Sequence, residues 1–293
     1  MKTKEVVEGA LLTALVTVII IIGIFLPFLG NILLMLSPLP VIVAVTRWNS
    51  NLGIIISLLS GVILFILVNP GLLLFTIFYT GLLGVTLGAA FDEPFPPKII
   101  LGIGTLAAAS SFLLSFLVVK HILNINITAQ LIEQINLVTQ SYQELGLSAE
   151  MANQVSEELI NTLKNTFPTL MLCSGLLIAS VNYYFGLNLL SRLEFDYPYK
   201  LEIKKFKLSK LVIIPYLLTL FFNTNLFFEN LYILLIFLFS LEGLAVAYYF
   251  YATKKLSKWY LIVGLLFFPL LVNLLFVLGI IDLWFDFRNL DDA

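Results

Sequence analysis

The sequence predicts an all-α polytopic membrane protein, and three observations carry that expectation. Hydrophobic residues make up 60% of the 293-residue chain and charged residues 12%, against about 25% charged in an ordinary soluble domain. The apolar residues fall in runs, about nine of which approach the roughly 20 residues a helix needs to cross hydrocarbon. With those runs taken as spans, all but three of the 16 Lys and Arg residues fall on one side of the bilayer, the exceptions being Lys120, Lys164 and Arg288. Cytoplasmic loops retain Lys and Arg. The N-terminus, with Lys2 and Lys4, is therefore expected inside and the C-terminus outside.

The first span runs from about Glu8 to Leu26 and stops at Pro27. The second, Ile32 to Thr46, is short and interrupted by Pro38 and Pro40. It is either a broken span or a re-entrant segment, which would leave about eight crossings, since a Pro-broken backbone at membrane depth needs protein or a cavity around it. Leu52 to Val68, Leu72 to Phe91 and Ile99 to Val119 follow as the third to fifth spans. After a polar interruption, Thr166 to Leu190 is the sixth, and it returns to a basic loop, Ser191 to Lys210. Leu211 to Leu226, Leu231 to Tyr251 and Tyr260 to Ile281 complete the series.

The interruption, Asn124 to Asn165, has its own periodicity. Leu131, Ile135, Val138, Tyr142 and Leu145 alternate at spacings of four and three, the stripe of an amphipathic helix. Gly146 suits a helix stop and Ser148 a fresh N-cap, after which Met151, Val155, Leu159 and Leu163 continue an apolar stripe. Glu133, Glu144, Glu150, Glu157 and Glu158 against Lys164 make the segment acidic, which argues against attraction to anionic lipid. It is expected to cap the bundle on the outer side, to lie on the membrane, or to dock a partner.

Helices in lipid gain nothing by hiding Leu from lipid tails, so small residues that let backbones approach mark contact faces. Ala10 and Ala14 form one such row, Gly84 and Gly88 a second, and Ala107, Ser111 and Ser115 a third. Glu242 lies near the middle of its span, where a bare carboxylate is costly; it must be protonated, paired or hydrated. Counting rise along the last two spans places Asn273 near the same depth, so a Glu242 to Asn273 hydrogen bond is expected. Its role is either to handle a proton or substrate or to join two helices. In the sixth span Asn182 and Tyr183 either line a cavity or bond across helices. Arg47 and Trp48 suit a helix end at the membrane interface, as do Trp259 and Trp284.

Several function classes are excluded or disfavoured. One cysteine, Cys173, and one histidine, His121, leave no internal disulfide and no Cys/His metal cluster. The basic residues sit in short loops beside spans rather than on one broad face, so no nucleic-acid partner is expected. No phosphate-binding loop, serine-hydrolase elbow or zinc-protease motif occurs. The chain is thus expected to be no enzyme and to need no cofactor or metal, and any ATP-driven process must take its motor from another chain.

A family likeness enters at the first helices. Glu8 to Val16 (E-G-A-L-L-T-A-L-V), Ser37 to Pro40 (S-P-L-P) and Leu52 to Gly61 (L-G-I-I-I-S-L-L-S-G) resemble the first three helices of the substrate-binding S components of energy-coupling-factor vitamin transporters. Over its whole length the chain resembles the YybS-like group of bacterial membrane proteins, which implies a bacterial cytoplasmic membrane. The resemblance implies that residues 1–192 form a six-helix S-component-like bundle carrying the insertion 124–165, with a basic cytoplasmic loop at 193–210 and an added three-helix unit at 211–293. In S components the A-x-x-x-A row of the first helix contacts a transmembrane coupling subunit that works with ATPases, and Ala10 and Ala14 occupy the matching positions. The implied function is binding of a small molecule or lipid for uptake with separate energising subunits. The competing reading is a non-transporting scaffold that recruits partners in envelope assembly or differentiation.

Overall fold

Lipid offers the backbone no hydrogen bonds, so a chain this apolar must close them within helices. The structure, a computed structural model, is 85% helical and has no strand among the described residues. It describes all residues except 1–2, 28, 122–126, 145, 147, 196, 200–201, 223–224, 255–256, 258–267 and 291–293. The chain forms two compact units. Unit 1 comprises Met1–Ser156 and Ser174–Lys200, and unit 2 comprises Glu157–Cys173 and Leu201–Ala293.

In unit 1, α1 (Thr3–Phe25) ends two residues before Pro27. The Pro38 and Pro40 pair then divides one apolar run into α2 (Leu29–Met35) and α3 (Leu39–Arg47), so the second segment is a broken helix. Asn49 caps α4 (Ser50–Leu67) by accepting the Leu52 N–H at 2.9 Å. Helix α5 (Gly71–Phe91) carries a π-helical stretch, Phe75–Leu83, in its middle. Helix α6 (Pro97–His121) follows, then the polar α7 (Ile127–Glu144). Gly146 adopts φ 100°, the left-handed conformation a helix stop requires, and Ser148 caps the next helix through the Met151 N–H. That helix, α8 (Ala149–Arg192), is a single element of 44 residues whose Glu157–Cys173 stretch belongs to unit 2. The sequence treats its polar start and the sixth span as separate helices. They are continuous because Pro168 removes one backbone donor without ending the helix, and the Thr166 hydroxyl bonds back to Thr162 O at 2.7 Å.

The core of unit 1 joins Val16 and Ile20 of α1 to Val41, Ala44 and Val45 of α3 and Leu52, Ile56 and Leu64 of α4. Close approach is set by the small-residue row on α5: a Cβ on Gly84 or Gly88 would lie 2.7 Å or 2.6 Å from the Val41 or Val45 Cβ. These glycines therefore serve internal packing. Outside the spans, α7 and the start of α8 are tied by a Thr139 to Ser156 hydroxyl bond, with Ala152 buried between them.

In unit 2, α9 (Ile213–Phe221) is followed by α10 (Leu226–Thr253) and α11 (Phe268–Phe285). Helices α10 and α11 touch backbone to backbone, since a Cβ on Gly243 would meet Leu275 O at 1.8 Å and one on Gly279 would meet Phe239 O at 2.0 Å. Leu235, Phe239 and Leu283 form the core, flanked by Tyr216 and Phe276.

Seven helices are long and apolar enough to cross a membrane, with Lys210–Phe221 and Leu271–Phe285 as shorter apolar helices among the described residues. The described part of the seventh predicted span, Lys210–Phe221, is shorter than the roughly 20 residues of a full crossing, and residues 223–224 just after it lie outside the described residues. The sequence sends Lys207 inside and Asp286 and Arg288 outside, yet Lys207 Nζ lies 2.7 Å from Asp286 Oδ1, so these residues lie together. The start of the ninth predicted span, and Trp259 just before it, lie outside the described residues.

Candidate functional site

The break between α2 and α3 frees backbone carbonyls that no helix satisfies. One of them, Met35 O, accepts the Tyr79 hydroxyl at 3.0 Å and the Asn182 Nδ2 amide at 3.0 Å. Tyr79 reaches it from the π-helical stretch of α5, where the extra residue per turn re-aims side chains. One residue on, the Thr80 hydroxyl pairs with the Ser37 hydroxyl at 2.8 Å, both fully buried. The prolines break one helix, the π stretch adapts its neighbour, and α8 supplies the amide.

Two buried side-chain atoms on neighbouring residues of α8 have no hydrogen-bond partner among the described residues. Asn182 Nδ2 also donates to Ile178 O at 3.0 Å, but Asn182 Oδ1 accepts nothing. Tyr183, next on α8, is 0% exposed and packs on Phe91 with ring centroids 5.5 Å apart, and its hydroxyl has no hydrogen-bond partner. Phe91 in turn meets Tyr197 edge-on, and the Tyr197 hydroxyl donates to Phe95 O. Burial, with Tyr199 beside it, pushes the Tyr197 phenol above its ordinary value. The polar groups of this region are amides, hydroxyls and backbone carbonyls rather than charged side chains. No group of three or more His, Cys, Asp or Glu side chains poised for a metal occurs among the described residues.

Ala10 and Ala14 are exposed on α1, beside exposed Val7, Leu11 and Val18. They take no part in the internal packing. At the start of the same helix, Glu8 pairs with Arg47 at 2.6 Å and accepts Trp48 Nε1 at 3.1 Å, while Glu5 accepts Asn49 Nδ2 at 3.2 Å. Arg47 and Trp48, which the sequence assigns to the interface alone, are therefore also anchored.

Unit 2 holds a different cluster. Glu242 is fully buried, accepts the Leu208 N–H at 3.2 Å and lies 3.4 Å from Arg288 Nη2. Arg288 donates from Nε and Nη2 to Asp282 at 3.1 Å and 2.7 Å, and from Nη1 to Lys204 O and Phe206 O at 3.0 Å and 2.8 Å. Its five N–H groups are all used. Asn273, the partner expected for Glu242, is exposed instead. Equal depth from helix rise does not fix the face, and a guanidinium meets a buried carboxylate better than an amide does. The sequence missed Arg288, Asp282 and the backbone of 204–208. The available signal was electrostatic: a mid-span carboxylate needs a cation, and Arg288 follows Asp282 at the end of the adjoining helix.

A family model described as "Predicted membrane protein (DUF2232)" matches residues 14–283, nearly the whole chain. The chain belongs to this family. It is also 24% identical to the "Uncharacterized protein YybS" of Bacillus subtilis (strain 168), with 98% of each protein covered. No solved structure matches. Membership of this family makes the chain a multi-pass membrane protein of the YybS-like type.

Proposed function

We propose that unit 1 is a solute-binding bundle of the S-component type, which takes a small molecule or lipid at the Met35 break and delivers it with separate energising subunits. The observation that carries this reading is the pair of buried, unbonded polar atoms, Asn182 Oδ1 and Tyr183 Oη. Leaving such a group unpaired costs about 1–3 kcal/mol, a cost that a ligand making the missing bonds removes. The exposed Ala10 and Ala14 face supports the second half of the proposal, because small residues facing lipid let a partner helix approach closely. The N-terminus is read as cytoplasmic from the charge asymmetry, in a bacterial cytoplasmic membrane. The protein itself is read as non-enzymatic.

The test is purification of the tagged full chain from native membranes, with mass spectrometry of retained small molecules and companion proteins. A retained molecule that raises the thermal midpoint on re-addition, together with coupling and ATPase subunits, is the expected result. A folded protein that retains neither rejects the proposal.

A scaffold reading is favoured by a separate observation. Leu137, Val138, Met151, Val155 and Leu159 are exposed on the acidic α7 and α8 helices. Deleting residues 128–164 separates the readings: loss of partners with ligand retention intact supports scaffolding, whereas loss of the retained solute supports transport.

A further inference from the structure

We propose that residues 202–221 of unit 2 bind an anionic phospholipid, with the headgroup on Lys204, Lys205 and Lys210 and an acyl chain along α9. The segment has two faces. Leu208, Val212 and Tyr216, spaced at one helical turn, pack inward on the core of Leu235, Phe239 and Leu283. Leu211, Ile214, Leu218 and Phe221, alternating at spacings of three and four, are 71%, 55%, 45% and 80% exposed and form one outward stripe. That stripe rises about 15 Å at roughly 1.5 Å per residue. Half of the roughly 30 Å hydrocarbon core has the same depth, which is that of one leaflet. The cations stand at one end of the stripe only. Lys204, Lys205 and Lys210 are exposed, with exposed Phe206 among them, whereas residues 211–221 carry no charged side chain.

The buried ionic cluster holds the basic end of this segment in place. Arg288 donates to Lys204 O and Phe206 O, Glu242 accepts the Leu208 N–H, and Lys207 turns inward to Asp286. Turns of 3-10 helix at Ile203–Lys205 and Lys210–Val212 flank these anchors. A headgroup thus meets lysines whose backbone is already ordered, which lowers the cost of binding. Glu202 is the one acidic residue between 202 and 221 and pairs with Lys205 at 3.0 Å, so the exposed lysines outnumber it three to one. Chemistry also selects the occupant. A soluble anion or an acidic peptide would meet the lysines and leave the adjoining apolar stripe without a partner, whereas a phospholipid satisfies both. The site lies wholly in unit 2 and does not depend on the reading of unit 1.

Native mass spectrometry of the full chain in detergent, titrated with phosphatidylglycerol or phosphatidylcholine, reads the affinity for an anionic and a zwitterionic headgroup on the same acyl chains. Phosphatidylglycerol is expected to bind about tenfold more tightly or better. Lys204→Gln combined with Lys205→Gln should weaken phosphatidylglycerol by about fivefold per lysine and leave phosphatidylcholine unchanged. Leu211→Asn combined with Leu218→Asn should weaken both lipids alike. Glu202→Gln removes the acid that competes for Lys205 and should strengthen phosphatidylglycerol by about twofold to fivefold, which decides the matter if the lysine variant fails to fold. Equal affinities for the two lipids, or phosphatidylglycerol binding that the lysine and Glu202 substitutions leave unchanged, overturns the proposal. Displacement of phosphatidylglycerol by equimolar inorganic phosphate also overturns it, by assigning the lysines to a soluble anion.

Discussion

In unit 1 the Met35 carbonyl at a helix break accepts from a tyrosine hydroxyl and an asparagine amide, while in unit 2 Arg288 donates to two carboxylates and two carbonyls. Both arrangements keep polar groups out of contact with lipid, but their tolerances differ. Neutral groups can stand with a valence open, as Asn182 and Tyr183 do, at about 1–3 kcal/mol each. Ions cannot, because an unpaired buried charge costs several kcal/mol, and every N–H of the guanidinium is accordingly used. Unpartnered neutral groups are therefore physically affordable in unit 1, and the ionic cluster is where substitution should do most damage.

The largest effect is expected for Arg288→Met. It strands Asp282 and Glu242 without their guanidinium and leaves Lys204 O and Phe206 O unbonded. Removing one partner of a buried ion pair costs about 3–5 kcal/mol, so reversible unfolding in mixed micelles should show a loss of that order. A loss below about 1 kcal/mol would mean that water or lipid headgroups already solvate the cluster, and the contrast between the units would disappear.

Backbone contact should come next. Gly243→Ala puts a methyl group against Leu275 O, with nothing flexible to yield, whereas Gly102 has no heavy atom within 4 Å of the same position. Thermal unfolding of the two variants in one detergent should give a loss of about 1–3 kcal/mol for the first. Gly102→Ala should be neutral or gain up to about 1 kcal/mol, since alanine favours the helix. Equal responses would show that α10 and α11 are not in backbone contact.

How much of this the sequence carries differs between the units for the same reason. Spans, the Pro38 break, the Gly146 stop and the Ser148 cap follow from local rules, and each is found in place. The interest of Asn182, Tyr183 and Glu242 follows from the cost of polar groups in lipid, which a single sequence shows. Their partners do not follow. Met35 acts through its backbone carbonyl, which no residue type announces, and Tyr79 is aimed by a π stretch that hydropathy does not register. Arg288 was placed across the membrane because counting spans assumes that each apolar run crosses it. The Lys207 to Asp286 contact instead sets residues from the two predicted sides next to each other.

The smallest effects on stability are expected where the comparison has most to say about function. Asn182→Leu gives up bonds to Met35 O and Ile178 O, but Tyr79 still reaches Met35 O, so the loss should be about 1 kcal/mol. Tyr183→Phe removes a hydroxyl that bonds to nothing while keeping the ring against Phe91, and the ligand-free protein should be unchanged within about 0.5 kcal/mol or slightly more stable. Affinity for a molecule retained from native membranes should nevertheless fall about tenfold, the equivalent of one ordinary hydrogen bond. A silent change in the empty protein that weakens binding can arise only if the hydroxyl finds its partner in the ligand. If Tyr183→Phe instead destabilises the empty protein by more than about 1 kcal/mol, the hydroxyl is already bonded there, and unit 1 would be as closed as unit 2.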